Sequence, residues 1–146
     1  MLLSRKYPAI YVHNTKAVPY ADAIAEALKT IETRTRDMLG RFVGSRVLII
    51  RTADGKKPMI IGSVCISHGA YRSAEELENL RDRTLIPPGS KFDCHGAGKW
   101  CYFLRNAVKF QHEIPLEDAR LISRNMSYAI IDAESLEEWR DKHNNN

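Results

Sequence analysis

The chain has 146 residues, 44% hydrophobic and 27% charged, with a net charge of +4 and three cysteines. That length supports one domain, residues 1–146, with a core of its own. No apolar run approaches the roughly 20 residues of a membrane helix, and the odd cysteine count (Cys65, Cys94, Cys101) argues against a disulfide framework and for a reducing compartment, the cytoplasm.

The charge is uneven. Residues 1–60 hold eleven Lys/Arg against five Asp/Glu, and residues 61–146 hold eleven against thirteen. A basic half invites a polyanion, because neutralised phosphates release counterions. The opening MLLSRKYPAIYV has no sustained apolar stretch and no small-residue cleavage site, so no signal peptide is expected.

In chain order, YPAIYVH (7–13) predicts a first strand and NTKAVP a connector. Ala21, Ile24, Ala25 and Leu28 recur at helical spacing, which predicts a helix from Tyr20 to Leu28. TIETRTR then alternates, with Thr30, Glu32, Arg34 and Arg36 on one face and Ile31, Thr33 and Thr35 on the other. After a glycine-containing loop, RVLIIRT (46–52) and MIIGSVCIS (59–67) flank an Asp-Gly turn, the clearest hairpin signal in the sequence. Ser73 and Glu76 form a capping-box pair that opens a helix over 73–83.

The stretch TLIPPGSKFDCHGAGK is a long Pro- and Gly-rich loop, of a kind often functional in compact domains. WCYFLRNAVKFQHEI (100–114) predicts one or two strands broken near Asn106, PLEDARLIS a short helix, SYAIID (127–132) a last strand, AESLEEWRDK a closing helix anchored by Trp139, and HNNN a frayed tail. The sum is an α+β fold: a mixed, mostly antiparallel sheet curling into a small barrel with flanking helices.

The order of these pieces resembles the ASCH domain family of the PUA-like superfamily. The resemblance rests on the LKTIETR segment after a helix, the Gly-containing turn before RVLIIRT, and the Gly-x-Val strand in IIGSVCIS with WCYFLRNAVKF closing the barrel. It covers about residues 7–115; the strand and helix of 116–143 have no counterpart in it. The resemblance implies a pseudo-barrel that binds RNA, single-stranded or through a modified nucleoside, in a cleft beside the Lys-Thr segment. It further implies either RNA cleavage or removal of an acetyl group from acetylated cytidine, or a non-catalytic RNA-binding module. The amidohydrolase branch carries Lys-Thr-x-Thr-x-Arg; Glu32 stands at its second Thr, which favours cleavage here.

The residues themselves carry a consistent chemistry. Glu32 is suited to accept a proton and Lys29 to stabilise charge or protonate a leaving group, with Thr30 orienting a water or base edge. Arg34, Arg36 and Arg46 supply basic groups for phosphate, and an arginine fork binds two oxygens at once. Lys99 is placed to meet a phosphate, and Trp100 or Tyr102 to stack on an unpaired base. The bland alternative makes Glu32–Arg34 a surface ion pair, Lys29 a helix-end cation and Trp100 and Tyr102 core residues. Cys94, His95, Cys101 and His112 fit no zinc spacing, so neither metal nor other cofactor is expected. His13 and His68 sit at strand ends as candidate bases or ordinary surface histidines.

Overall fold

The computed structural model describes residues 5–143; the terminal asparagines of the expected tail, 144–146, lie outside the described residues. The elements are β1 (Lys6–His13), α1 (Tyr20–Ala25), β2 (Ile31–Arg34), β3 (Arg46–Ala53), β4 (Lys56–Arg72), α2 (Ala74–Glu78), α3 (Arg81–Thr84), β5 (Lys99–Pro115), β6 (Leu121–Arg124), β7 (Tyr128–Asp132) and α4 (Ala133–His143). The strands form one sheet in the order β2-β5-β4-β3-β1-β7-β6. The β1–β3 pair is parallel and the other neighbouring pairs are antiparallel. This is the expected α+β architecture.

The Asp54-Gly55 turn joins β3 to β4, with Gly55 at a φ of 73° that glycine reaches without a Cβ clash. β4 and β5 are long, and their ladder slips register between Ile60 and Gly62, Ser63 and Cys65, and Ile66 and His68. Each slip bends and twists the strands locally. Asn106, at a φ of 56°, marks the irregularity expected there, but β5 continues through it as one strand. The resulting curl carries the edge strand β2 back toward β1, where Arg34 Nη2 donates to the Tyr11 carbonyl at 2.7 Å.

β3 is buried on both faces by simple alternation. Val47 and Ile49 join the cluster of Ile10, Val12, Ile24, Leu39, Ile66 and Tyr102 inside the curl. Leu48 and Ile50 join Ile60, Ile114, Ile131 and Leu136 beneath α4. Trp139 packs partly against this second cluster and donates to Asp118 Oδ2 at 3.2 Å.

Three expectations differ from the structure. The helix over 73–83 is two short helices, because only Leu77 and Thr84 find burial along it and the chain turns at Asn79–Leu80; its Ser73–Glu76 capping box is present in both directions. PLEDARLIS is a single 3-10 turn (Leu116–Asp118) followed by β6, since Leu121–Arg124 pairs with β7. The first helix ends at Ala25 rather than Leu28, for a reason that governs the site.

Candidate functional site: a lysine cleft inside the curl

α1 closes on a left-handed residue. Ala27 has a φ of 62°, its N–H donates to the Ile24 carbonyl at 3.0 Å, and the Leu28 N–H donates to the Ala23 carbonyl at 2.8 Å. This is the pairing that satisfies a helix end when the residue after the cap turns left-handed. The reversal leaves Leu28 62% exposed and sends Lys29 inward to 2% exposure.

There the Lys29 ammonium donates to the Thr84 carbonyl at 2.5 Å, stands 5.1 Å from the Tyr20 ring centroid and lies 3.7 Å from Glu32 Oε1. Burial lowers the Lys29 pKa below its usual value, and the Glu32 carboxylate opposes that only in part.

Strand alternation places Glu32 and Arg34 on the same face of β2, while Ile31 turns to a separate cluster with Leu77 and Cys101. Arg34 Nη2 bridges Glu32 Oε2 at 2.9 Å and the Tyr11 carbonyl. From the far end of the long loop, Lys99 arrives 8% exposed and donates to the Phe92 carbonyl at 2.5 Å. Burial lowers its pKa too.

These groups line a cleft of about 320 Å³. Tyr20 and Phe92, whose rings meet edge-on at 5.8 Å, form an aromatic wall, and His13 stands in the lining with Nδ1 2.9 Å from Thr52 Oγ1. The volume is at the small end of ligand pockets, about 300–1,000 Å³. A desolvated amine, a carboxylate within 4 Å of it and two further cations can together move protons and stabilise a developing oxyanion.

Of the residues singled out in the sequence, His13, Lys29, Glu32, Arg34 and Lys99 share this cleft. Thr30 does not line it: its hydroxyl accepts from Arg83 Nε at 2.9 Å. Arg36 is exposed beyond the end of β2, and Arg46, also exposed, donates to Ser63 Oγ at 2.9 Å on β4. Trp100 packs edge-on against Tyr71 at 6.0 Å outside the cleft. Tyr102 is 0% exposed, donating to Asp37 Oδ1 at 2.5 Å and accepting from the Leu39 N–H at 3.2 Å, so its ring is a core group and offers no face to a base.

Tyr20 and Phe92 were not singled out. Their only sequence signal is position, one opening the helix before Lys29 and one inside the long loop. Cys65, Cys94 and Cys101 are free thiols. Among the described residues, no group of three His, Cys, Asp or Glu side chains converges as metal ligands.

No family model matches the sequence. No curated protein matches it either. Solved structures do. The ASCH protein from Zymomonas mobilis superposes with a TM-score of 0.68 at 17% identity, over 91% of this chain and 94% of that one. A tyrosine-to-phenylalanine variant of that protein gives 0.69 at 19% identity, over 94% and 98%. A serine-to-alanine variant gives 0.67 at 17% identity, over 92% and 95%. The chain therefore has the ASCH-like fold along nearly its whole length.

Proposed function

We propose that the lysine cleft is the active site of an RNA-processing hydrolase. One observation carries this reading: Lys29, almost fully buried and with its pKa depressed, faces Glu32 at 3.7 Å in a cleft that also holds Arg34 and Lys99. Burying a lysine with a single carbonyl as hydrogen-bond partner is unfavourable for folding alone. Sites that need an amine with a lowered pKa accept that penalty.

In the cleavage reaction, Glu32 takes the proton of a ribose 2′-hydroxyl, and the oxygen attacks the adjacent phosphorus. The bond to the 5′-oxygen breaks, and that oxygen takes a proton from the Lys29 ammonium. Arg34 and Lys99 hold the phosphoryl oxygens as charge builds. The products are a 2′,3′-cyclic phosphate and a 5′-hydroxyl end.

Deacylation of acetylated cytidine is the second chemistry for the same groups, since a cleft of this size takes one base: Glu32 takes a proton from a water that attacks the acetyl carbonyl, Lys29 gives a proton to the departing N4 amine, and acetate leaves. A non-catalytic RNA-binding module is the competing reading. It draws on the fact that Glu32 is already paired with Arg34 and Lys29 with the Thr84 carbonyl. Product formation from short RNA by the wild type and by Lys29→Ala separates these readings.

A further inference from the structure

The cleft has an unbalanced charge. Its lining holds three cations, Lys29, Arg34 and Lys99, against one carboxylate, Glu32. With both ammonium groups charged, the excess is two positive charges. Lys29 and Lys99 are 2% and 8% exposed, so water compensates them poorly.

Their hydrogen bonding is also incomplete. An ammonium has three donors. Among the described residues, Lys29 uses one on the Thr84 carbonyl and Lys99 one on the Phe92 carbonyl. Arg34 engages the protein through Nη2, which leaves Nε and Nη1 for a ligand. The aromatic wall of Tyr20 and Phe92 stands in the same cleft.

An internal RNA phosphate is a diester with one negative charge. A phosphate monoester carries about −1.5 to −2 at neutral pH and presents three strong acceptor oxygens. The monoester matches the charge excess and offers one terminal oxygen to each of the three basic groups; the diester, with one charge and two such oxygens, matches neither.

From this geometry we infer that the cleft recognises a nucleotide bearing a terminal phosphate monoester. The phosphate sits among Lys29, Arg34 and Lys99, and the base lies against Tyr20 and Phe92. The ligand is then a nucleoside monophosphate or the phosphorylated end of an RNA, rather than a neutral nucleoside or an internal stretch of strand. This rests on the proposed RNA-processing role for its setting, and it replaces the internal phosphodiester of the cleavage step by a terminal monoester as the group held among these three cations.

Titration calorimetry tests it. The ligands are the four nucleoside 5′- and 3′-monophosphates, their parent nucleosides, the methyl diesters of the same nucleotides, and inorganic phosphate. A short RNA with a 5′-phosphate, a 3′-phosphate or free hydroxyl ends completes the set and separates the two sources of the monoester. The expected result is binding of at least one monophosphate about tenfold or more tighter than its nucleoside and its diester, as charge-assisted hydrogen bonds provide. Lys99→Gln and Arg34→Gln are expected to remove most of that preference.

Equal affinity for monophosphate, nucleoside and diester in the wild type overturns the inference, whatever the variants do. So does a preference that survives both substitutions, no detectable binding of any nucleotide, or inorganic phosphate binding as tightly as the nucleotides. Monoester preference without any RNA turnover leaves this inference standing and removes the hydrolase. Turnover of internal sites without monoester preference does the reverse.

Discussion

Lys29 Nζ lies 3.7 Å from Glu32 Oε1, while the other oxygen of the same carboxylate accepts from Arg34 at 2.9 Å. Glu32 therefore sits between two cations, closer to the arginine. The lysine is left with a carbonyl as its hydrogen-bond partner and a carboxylate just beyond hydrogen-bond range. That asymmetry leaves Lys29 desolvated, with its pKa lowered by burial and only partly restored by Glu32.

Replacing Lys29 with methionine separates stability from activity. Methionine keeps the length of the side chain and removes a charge that burial penalises. The melting temperature of Lys29→Met is expected to hold or rise at neutral pH. The sign with pH follows from the depressed pKa: below 10.5 the unfolded chain binds more protons than the folded one, so wild-type stability climbs as pH rises toward 10.5. The advantage of the variant shrinks over that window. Lys99, depressed in the same direction, is present in both proteins and cancels in the difference. Thermal melts at pH 7, 8.5 and 10 read this; a large loss of stability at pH 7 would assign Lys29 to the fold.

Tyr102 is the corresponding core test. Burial and the Asp37 carboxylate push its hydroxyl up to about 12 from the ordinary 10. Its stabilisation is present below pH 10 and is lost as pH rises from 10 to 12, because the unfolded chain ionises first. Tyr102→Phe is expected to cost about 1–3 kcal/mol at neutral pH, since the buried Leu39 N–H loses its acceptor. Urea titrations of both proteins should converge as pH climbs above 10.

Ala27 occupies the left-handed turn that aims Lys29 inward. A Cβ there is unfavourable by roughly 1–2 kcal/mol, offset in part by the greater unfolded-state entropy of glycine. Ala27→Gly is expected to raise stability by roughly 0.5–1 kcal/mol with RNA affinity unchanged. A destabilised variant would mean that the turn is held by something other than its helix-end hydrogen bonds.

Gly98 precedes Lys99 where the long loop enters β5. A Cβ at Gly98 would fall 2.3 Å from the Arg72 carbonyl and 2.7 Å from the Tyr71 ring. Gly98→Ala is expected to cost about 1–3 kcal/mol and to weaken ligand binding by displacing Lys99. Adding Tyr71→Ala should restore only part of the stability, because the Arg72 carbonyl remains; chemical denaturation of the single and double variants checks this.

Much of the fold was legible because its signals are local. The Asp54-Gly55 hairpin, the Ser73–Glu76 capping box and the strand nature of 7–13 and 46–52 each depend on neighbours within a few residues. The grouping of Glu32 with Arg34 was legible for the same reason: alternation alone puts them on one face. β6 was missed because a four-residue edge strand with three exposed positions has almost no pattern of its own. Tyr102 stood open between base stacking and the core because β5 alternation cannot say which face meets the core; the curl of the sheet turned that face inward. Tyr20 and Phe92 meet only through folding, 72 residues apart in sequence, so nothing short of the structure places them together.

The most direct test of the central claim is mass spectrometry of one short RNA containing an acetylated cytidine, incubated in EDTA with the wild type or with Lys29→Ala. The account predicts shorter products, or loss of an acetyl group, with the wild type, and a rate about 10²–10⁴-fold lower with the variant. Intact RNA in both incubations, with binding retained, would contradict the hydrolase and leave a binding module.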